Sequence, residues 1–206
     1  MNQPFLNPIL VLLLAYLIGS IPFGFLLVKL KTGRDVRASG SGNIGATNVL
    51  RTTGRLAGIA TLALDIGKGA AAVWLADRLT GGDVRWMAAA AMAVIAGHAF
   101  PVFLRFKGGK AVASFIGAFL YLTPIPMLAV LLVLVATVAY TRYVSLGSVI
   151  AAATFPLAVW MILHPSRSIL LASILSGAFI VYRHRANLER LRKGTEHALS
   201  FRRRRP

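Results

Sequence analysis

The chain has 206 residues, of which 57% are hydrophobic and only 14% charged, a balance far too apolar for a protein surrounded by water. Its formal charge of +17 would suit a nucleic-acid-binding protein, but the basic residues lie between long apolar runs, so we expect basic loops beside a lipid bilayer and no nucleic-acid partner. The absence of cysteine excludes disulfides, thiolate metal sites and cysteine nucleophiles.

The apolar runs predict an all-α integral membrane protein. No basic residue precedes the first run, so it is interpreted as a retained transmembrane helix and not as a signal peptide. Roughly 20 apolar residues cross the hydrocarbon core. The predicted spans are residues 8–30, 57–79, 86–104, 125–141, 145–163 and 167–182. A seventh candidate, residues 111–122, is short and is either a tilted crossing or a re-entrant helix.

The distribution of basic residues favours seven transmembrane helices, one of them short. With seven spans, 19 Lys and Arg residues lie on one side of the membrane and three on the other, whereas six spans would remove this separation. Because basic loops face the cytoplasm, the N-terminus is expected outside and the C-terminus in the cytoplasm. We expect one polytopic domain over residues 1–200 and a polybasic tail over residues 201–206 that attracts anionic lipid headgroups.

The loop after the first span is rich in glycine and small polar residues. Three glycines in its GSGNIGATN stretch, residues 40–48, let several backbone N–H groups approach one anion. Arg51 adds a guanidinium fork that matches phosphate geometry. The candidate phosphate-binding residues are Ser41, Asn43, Thr47, Asn48 and Arg51. From composition alone, an ordinary flexible linker is an equal alternative.

Asp65 and Lys68 are charged residues inside the second predicted span, where an unpaired charge costs on the order of 2.5 to 3.5 kcal/mol. Their i, i+3 spacing places them on one helix face. They are therefore expected either to pair with each other or to support the site from a polar interior.

A second glycine-containing loop, residues 105–114, leads into the short helix on the same side of the membrane. Gly108 and Gly109 precede a helix start that offers free N–H groups, and Lys110 adds a point charge, so this loop is a candidate phosphate cradle. The spacing of a nucleotide P-loop is missing. A loop of basic anchoring residues is the alternative. His98, just before this loop, is more simply a packed, hydrogen-bonded residue.

The end of the chain carries a third polar motif, HRANLERL, residues 184–191. Helical spacing places His184, Asn187 and either Arg190 or Leu191 on one face. A basic helix lying on the membrane surface is an equal alternative. Ser145, at the start of the sixth of the seven spans, would by itself be an ordinary helix N-cap.

Together, the GSGNIGATN, GGK (residues 108–110) and HRANLERL motifs resemble those of the PlsY-type glycerol-3-phosphate acyltransferases of bacteria, in the same order and on one membrane side, over nearly the whole chain. Ser114 stands where that family commonly has Thr, and Leu188 where Ile is usual. For catalysis, the resemblance implies Ser41, Arg51, Lys110 and His184. For substrate binding, it implies Asn43, Thr47, Asn48, Lys68, Gly108, Gly109, Ser145, Asn187, Arg190 and Glu196, with Asp65 in support.

The resemblance also implies the reaction: a fatty acyl group passes from acyl phosphate, and not from acyl-CoA, to glycerol 3-phosphate at the bacterial inner membrane, giving lysophosphatidic acid and phosphate. The first loop and Lys110 are expected to hold acyl phosphate, and the residues expected to receive glycerol 3-phosphate are Ser145, His184, Asn187 and Arg190. Because Lys and Arg are plentiful, no metal or cofactor is expected. The enzyme that supplies acyl phosphate is a candidate partner.

Two functions of other classes compete with the acyltransferase. An organophosphate or anion transporter would explain the intramembrane charges and the short helix, but the sequence has no inverted repeat and its polar motifs all lie on one face. A purely structural or lipid-binding protein would explain the basic tail but not three separate polar motifs.

Overall fold

The computed structural model describes residues 7–199, and within them every regular element is helical. The polybasic tail predicted at residues 201–206 lies outside the described residues. The α-helices are α1 (Pro8–Ser20), α2 (Phe23–Thr32), α3 (Ala46–Thr53), α4 (Arg55–Thr80), α5 (Val84–Ala99), α6 (Val112–Leu122), α7 (Pro124–Thr141), α8 (Val144–Leu163), α9 (Arg167–Arg183) and α10 (Arg185–Arg192). Short 3-10 turns lie at Val36–Ala38 and Val102–Leu104. The predicted all-α class is confirmed.

Five segments of the described chain are long and apolar enough to cross a membrane, and they match five predicted spans. These are Pro8–Thr32, Arg55–Thr80, Val84–Leu104, Pro124–Thr141 and Val144–Leu163. A sixth is possible if α9 and α10, which are bent by 53° relative to each other, are counted as one span. The 11-residue α6 is apolar but shorter than these segments.

The first predicted span is not one helix, because it is interrupted between α1 and α2. Pro22 has no N–H group and cannot continue the hydrogen bonding of α1. The carbonyl of Ile21 accepts a 2.8 Å hydrogen bond from Lys68 Nζ, and Lys68 also pairs with Asp65 at 2.7 Å. Both side chains of this ion pair are 3% exposed. The predicted pairing of Asp65 with Lys68 is therefore confirmed. Lys68 also provides a hydrogen-bond donor for the Ile21 carbonyl, which the break between α1 and α2 leaves without a helical partner.

Helix α6 lies against the second half of α4. Near its start, Ser114 Oγ donates to the Asp65 carbonyl at 3.1 Å, and near its end, Tyr121 Oη donates to Asp77 Oδ2 at 2.6 Å. A methyl group on Gly69 of α4 or Gly117 of α6 would collide with the facing backbone, so glycine allows the two helices to approach closely. The N-terminus of α6 is thus held at the middle of α4.

The apolar core continues from α6 to α8 through three phenylalanines. Phe115, Phe119 and Phe155 are 2% exposed or less, and their ring centroids lie 4.8 to 5.1 Å apart. Tilted and edge-to-face pairs of this kind add to the energy of burial. This cluster fixes α6 to α8, the helix that carries Ser145 near its beginning.

Candidate active site

Four polar segments, distant in sequence, meet at one end of the helix bundle, and Glu196 lies at their centre. Ser145 Oγ and Asn187 Nδ2 donate to Glu196 Oε1 at 3.0 and 2.8 Å, while Arg190 Nε donates to Oε2 at 2.8 Å. Burial alone would raise the pKa of Glu196, but these hydrogen bonds outweigh burial and leave the pKa below its usual range. The carboxylate of Glu196 thus orients its three donors, Ser145, Asn187 and Arg190.

Lys110 joins the second loop to this network. Its Nζ donates to Asn187 Oδ1 at 2.5 Å, and the side chain is partly buried. Burial is the largest cause that lowers the pKa of Lys110, to about 8, with repulsion from Arg190 and Arg51 adding to burial and attraction to Glu196 opposing it. Lys110 is therefore a desolvated cation whose charge depends on pH in the range just above neutrality.

Asn48 organises the first loop and is 2% exposed. Its Nδ2 donates to the carbonyls of Val36, Ser39 and Asn43 at 3.3, 3.1 and 2.8 Å, and its Oδ1 accepts the Ser41 N–H at 2.9 Å. Both ends of the Asn48 amide therefore bind the loop backbone and hold the loop in its shape. Asn43 Oδ1 similarly accepts a loop N–H, that of Gly45, at 2.9 Å.

Residues 195–199, the C-terminal strap, connect the first loop to the rest of the site. Arg51 Nη2, in the last turn of α3, donates to the His197 carbonyl at 2.8 Å, and the Leu199 N–H donates to the Arg142 carbonyl at 2.7 Å. Arg51 and Arg190 lie close enough to repel each other and Lys110. Three cations around the carboxylate of Glu196 leave a net positive charge, which suits phosphate.

The second loop, residues 105–111, forms an arch, called here the glycine arch. Its two glycines do not offer their N–H groups to phosphate as the predicted cradle would require. Gly108 and Gly109 donate their N–H groups to the carbonyls of Ala99 and His98 at 3.2 and 3.1 Å, so these amides are not directed at a substrate. A methyl group on Gly109 would collide with the His98 imidazole. The two glycines are needed for close packing, and Lys110, carried on the arch, supplies the charge.

A serine, a histidine and an aspartate meet beneath the glycine arch, but not in the geometry of a catalytic triad. His98 Nδ1 lies 2.9 Å from Ser114 Oγ and 3.7 Å from Asp65 Oδ1, so one ring nitrogen faces both partners. A triad histidine uses opposite nitrogens for the nucleophile and the acid. All three residues are 3% exposed or less. His98 is thus the packed, hydrogen-bonded residue that the sequence analysis favoured.

His184 lies at the bend between α9 and α10. Its Nδ1 is 2.8 Å from the Ile180 carbonyl, which can only accept, so Nδ1 carries the hydrogen and Nε2 keeps a lone pair. Burial, followed by repulsion from Lys110, lowers the pKa of His184 to about 4. His184 is therefore a neutral imidazole at pH 7.

A protein-family model described as glycerol-3-phosphate acyltransferase matches residues 9–194. The chain belongs to this family. Two bacterial proteins named glycerol-3-phosphate acyltransferase are close relatives. That of Desulforamulus reducens is 48% identical over 192 residues, covering 93% of this chain and 94% of the relative. That of Geobacter sulfurreducens is 46% identical over 193 residues, covering 93% and 97%.

The fold of this glycerol-3-phosphate acyltransferase family member also matches two crystal structures of PlsY, described as an integral membrane glycerol 3-phosphate acyltransferase. The glycerol 3-phosphate form gives a TM-score of 0.88 at 39% identity, covering 94% of this chain and 96% of that one. The lysophosphatidic acid form gives 0.85 at 37% identity, covering 94% and 95%. The predicted PlsY-type family and the integral membrane class are thereby confirmed.

The structure brings most predicted site residues of this acyltransferase family member together and leaves one apart. Those that meet at one end of the bundle are Ser41, Asn43, Asn48, Arg51, Gly108, Gly109, Lys110, Ser145, His184, Asn187, Arg190 and Glu196. Thr47 lies in α3, directly before Asn48. Lys68 instead lies beneath the site, where it binds Asp65 and the Ile21 carbonyl. Ser145 lies one residue inside α8, whose N-cap is Tyr143, and its hydroxyl binds Glu196.

Arg183 is a site residue that the sequence analysis missed. Its guanidinium donates to the carbonyls of both arch glycines. In the sequence it is one more basic residue of the tail, directly before the HRANLERL motif. Its position next to this motif is the signal that could have indicated it. Its partners are backbone carbonyls, which every residue has, so the sequence does not show which carbonyls it binds.

Proposed function

We propose that this protein transfers a fatty acyl group from acyl phosphate to the sn-1 hydroxyl of glycerol 3-phosphate, giving lysophosphatidic acid and inorganic phosphate. The observation that carries this proposal is the single network from Lys110 through Asn187 to Glu196, which joins the second loop to the C-terminal motif. The PlsY structures named for glycerol 3-phosphate and lysophosphatidic acid support the acceptor and the product. Both proposed substrates carry phosphate, as a cationic site requires.

The acceptor hydroxyl attacks the acyl carbonyl carbon directly. A new C–O ester bond forms, the carbonyl carbon's bond to the phosphate oxygen breaks, and the hydroxyl proton passes to the departing phosphate or to Nε2 of His184. Acyl phosphate is already activated, so no acyl-enzyme is needed. Catalysis then consists of positioning the two substrates and stabilising the leaving phosphate, for which we propose Arg51 and Lys110.

Because Lys110 binds Asn187, the two groups of residues expected to hold different substrates form one continuous site. We propose that Ser41, Thr47, Arg51 and Lys110 face the acyl phosphate, and that the glycerol 3-phosphate side consists of Ser145, His184, Asn187 and Arg190. In this arrangement Lys110 lies at the boundary, where it faces both phosphates. Glu196 and Asn48 hold the two halves in shape.

We also propose that a single polytopic domain crosses the bacterial inner membrane seven times, with its N-terminus outside and its site in the cytoplasm. Helix α6 contacts both the middle and the far end of α4. These contacts support a seventh membrane crossing that is formed by α6 together with the glycine arch that precedes it. The meeting of Arg51, Lys110, Arg142 and Arg190 at one end of the bundle agrees with the charge separation in the sequence. The enzyme that supplies acyl phosphate is a proposed partner at this face.

The donor can be tested with purified protein given palmitoyl phosphate or palmitoyl-CoA. We expect phosphate release and lysophosphatidic acid formation from palmitoyl phosphate, both dependent on glycerol 3-phosphate, and little product from palmitoyl-CoA. Equal or faster turnover of palmitoyl-CoA would refute the proposed donor. No product from either donor, together with glycerol 3-phosphate counterflow in liposomes, would refute the acyltransferase and support a transporter.

The pH profile should show an alkaline limb set by Lys110. The lysine is cationic below its pKa of about 8 and neutral above it, so phosphate binding is strong at neutral pH and weakens as the pH rises. We expect kcat/KM for glycerol 3-phosphate to fall through about pH 8, since this ratio reports the free enzyme. In Lys110→Arg, the side chain stays charged and the limb should move beyond pH 10. A limb that stays near pH 8 in this variant would assign it to another group.

A further inference from the structure

We propose that Arg183 is a positioning residue of the acyltransferase, which fixes the glycine arch to the bend between α9 and α10 so that Lys110 and His184 face the same substrates. The inference rests on the proposed function for its kinetic consequences. Its structural basis is independent of the identity of the acyl donor. It assigns a role to a side chain that lies outside the three sequence motifs.

The contacts of Arg183 are directed at the two arch glycines. Its Nη2 donates to the Gly109 carbonyl at 2.7 Å and reaches the Gly108 carbonyl at 3.3 Å. The guanidinium also lies over the Phe100 ring, 5.2 Å from the centroid. A planar guanidinium can stack on a ring and donate in its own plane at the same time, which an ammonium cannot do.

The N–H groups of the same two glycines are held by the end of α5. Because Gly108 and Gly109 donate to the carbonyls of Ala99 and His98, Arg183 completes the hydrogen bonding of both glycines. Without its guanidinium, two partly buried carbonyls would lose their donor, and such carbonyls are costly to leave unpaired. The arch would then be free to rotate toward water or another donor.

Arg183 and Asn187 hold the arch at two points, one on each side of His184. Arg183 binds the glycine carbonyls and Asn187 accepts from Lys110 in the next position along the arch. The bend of 53° brings both side chains to the same loop. Moving the arch would therefore shift Lys110 relative to His184, so that the two residues would hold glycerol 3-phosphate less well in its reactive position, which raises KM as well as lowering the rate.

The charge of Arg183 also acts on Lys110. The groups that contribute to the electrostatics of Lys110 are Glu196, Arg190, Arg51 and Arg183, with His184 as a further neighbour. Arg183 is one of the cations that lower the pKa of Lys110. A neutral side chain at position 183 should therefore move the alkaline limb upward, whereas lysine should leave it nearly unchanged.

The decisive variants are Arg183→Met, which removes the charge and the donors, and Arg183→Lys, which keeps the charge but not the planar fork. Arg185→Met is the matched control, since Arg185 is exposed and stacks on Tyr182. We expect Arg183→Met to raise KM for glycerol 3-phosphate about ten-fold or more and to shift the alkaline limb upward. Arg183→Lys should raise KM less and leave the limb in place. Arg185→Met should match the wild type.

Limited proteolysis gives a readout that needs no turnover. Trypsin cleaves after Lys107 and Lys110, which lie on either side of the two glycines. Arg183→Met should speed cleavage at these two positions, and Arg185→Met should not. If wild-type protein shows no acyl transfer, the proposed function fails while the cleavage rates still test the position of the arch.

Unchanged KM, alkaline limb and cleavage rates in folded Arg183→Met would overturn the inference. A lower thermal midpoint with wild-type KM and pH profile in the surviving enzyme would also overturn it, since that is the signature of a stabilising contact alone. If Arg183→Met does not fold, Arg183→Lys decides, with a wild-type KM and wild-type cleavage counting against the proposal.

Discussion

Replacing Lys110 by methionine is expected to reduce kcat/KM for glycerol 3-phosphate by about 10- to 150-fold, the loss of a charge-assisted contact worth about 1.5 to 3 kcal/mol. Methionine keeps the volume and the apolar stem but removes the ammonium group. Nζ of Lys110 joins the second loop to the network around Glu196 and has Asn187 as its hydrogen-bond partner. The same change also leaves Asn187 Oδ1 without its donor. We therefore expect a loss of kcat/KM near the upper end of this range, measured with both substrates at limiting concentration.

Lys193→Met is the matched control for this loss. Lys193 is close in sequence to the same network, but its side chain is 66% exposed and pairs with Glu189 on the surface. Exposed ion pairs of this kind contribute little to the stability of the folded protein. We expect near wild-type kinetics for Lys193→Met in the same assay. Full activity of Lys110→Met at limiting substrate would refute the proposal that Lys110 binds the substrate phosphates.

Removing one member of the Asp65–Lys68 pair is expected to destabilise the protein by about 3 to 5 kcal/mol, because it leaves a buried charge without its partner. The pair is 2.7 Å long with both side chains 3% exposed, and Lys68 in addition binds the Ile21 carbonyl at the break between α1 and α2. Thermal unfolding of purified Lys68→Met should therefore occur on the order of 10 °C below the wild type. Asp65→Leu should lower the midpoint similarly.

The double variant Asp65→Leu with Lys68→Met separates the buried charge from the packing. Both charges are then absent, so it should recover much of the stability that either single variant loses. Asp83→Asn is a surface comparison, since Asp83 pairs with an exposed Arg85, and it should unfold close to the wild type. A double variant as unstable as Lys68→Met would mean that the contact with Ile21, and not the ion pair, dominates.

The transmembrane segments could be predicted from the sequence because their signal is local: a run of apolar residues of sufficient length predicts a span whatever lies around it. The break between α1 and α2 was missed although Pro22 is visible, because hydropathy averages over a single proline. Helix α3 was also missed, since it lies inside a loop identified by its glycines and polar residues. Its end is set by Gly54, at a φ of 112°.

The candidate site could be predicted as a set of residues but not as a set of roles. The resemblance to the family indicated Asn48 and Glu196, yet a sequence does not show that the amide of Asn48 binds its own loop or that the carboxylate of Glu196 receives three side-chain donors. Gly108 and Gly109 lie beside Lys110 as the sequence shows, but the partners of their N–H groups depend on where α5 ends. Such roles arise from tertiary contacts between segments that are distant in sequence.

The C-terminal strap has a consequence for how the protein is made. Chains fold from the N-terminus during synthesis, so the transmembrane helices can enter the bilayer before residues 195–199 have left the ribosome. Until then Ser145, Asn187 and Arg190 lack the carboxylate that orients them, and Arg51 lacks the His197 carbonyl. A chain truncated before residue 195 is therefore expected to insert in the membrane and still be inactive, because competence for chemistry is acquired only when the strap is in place.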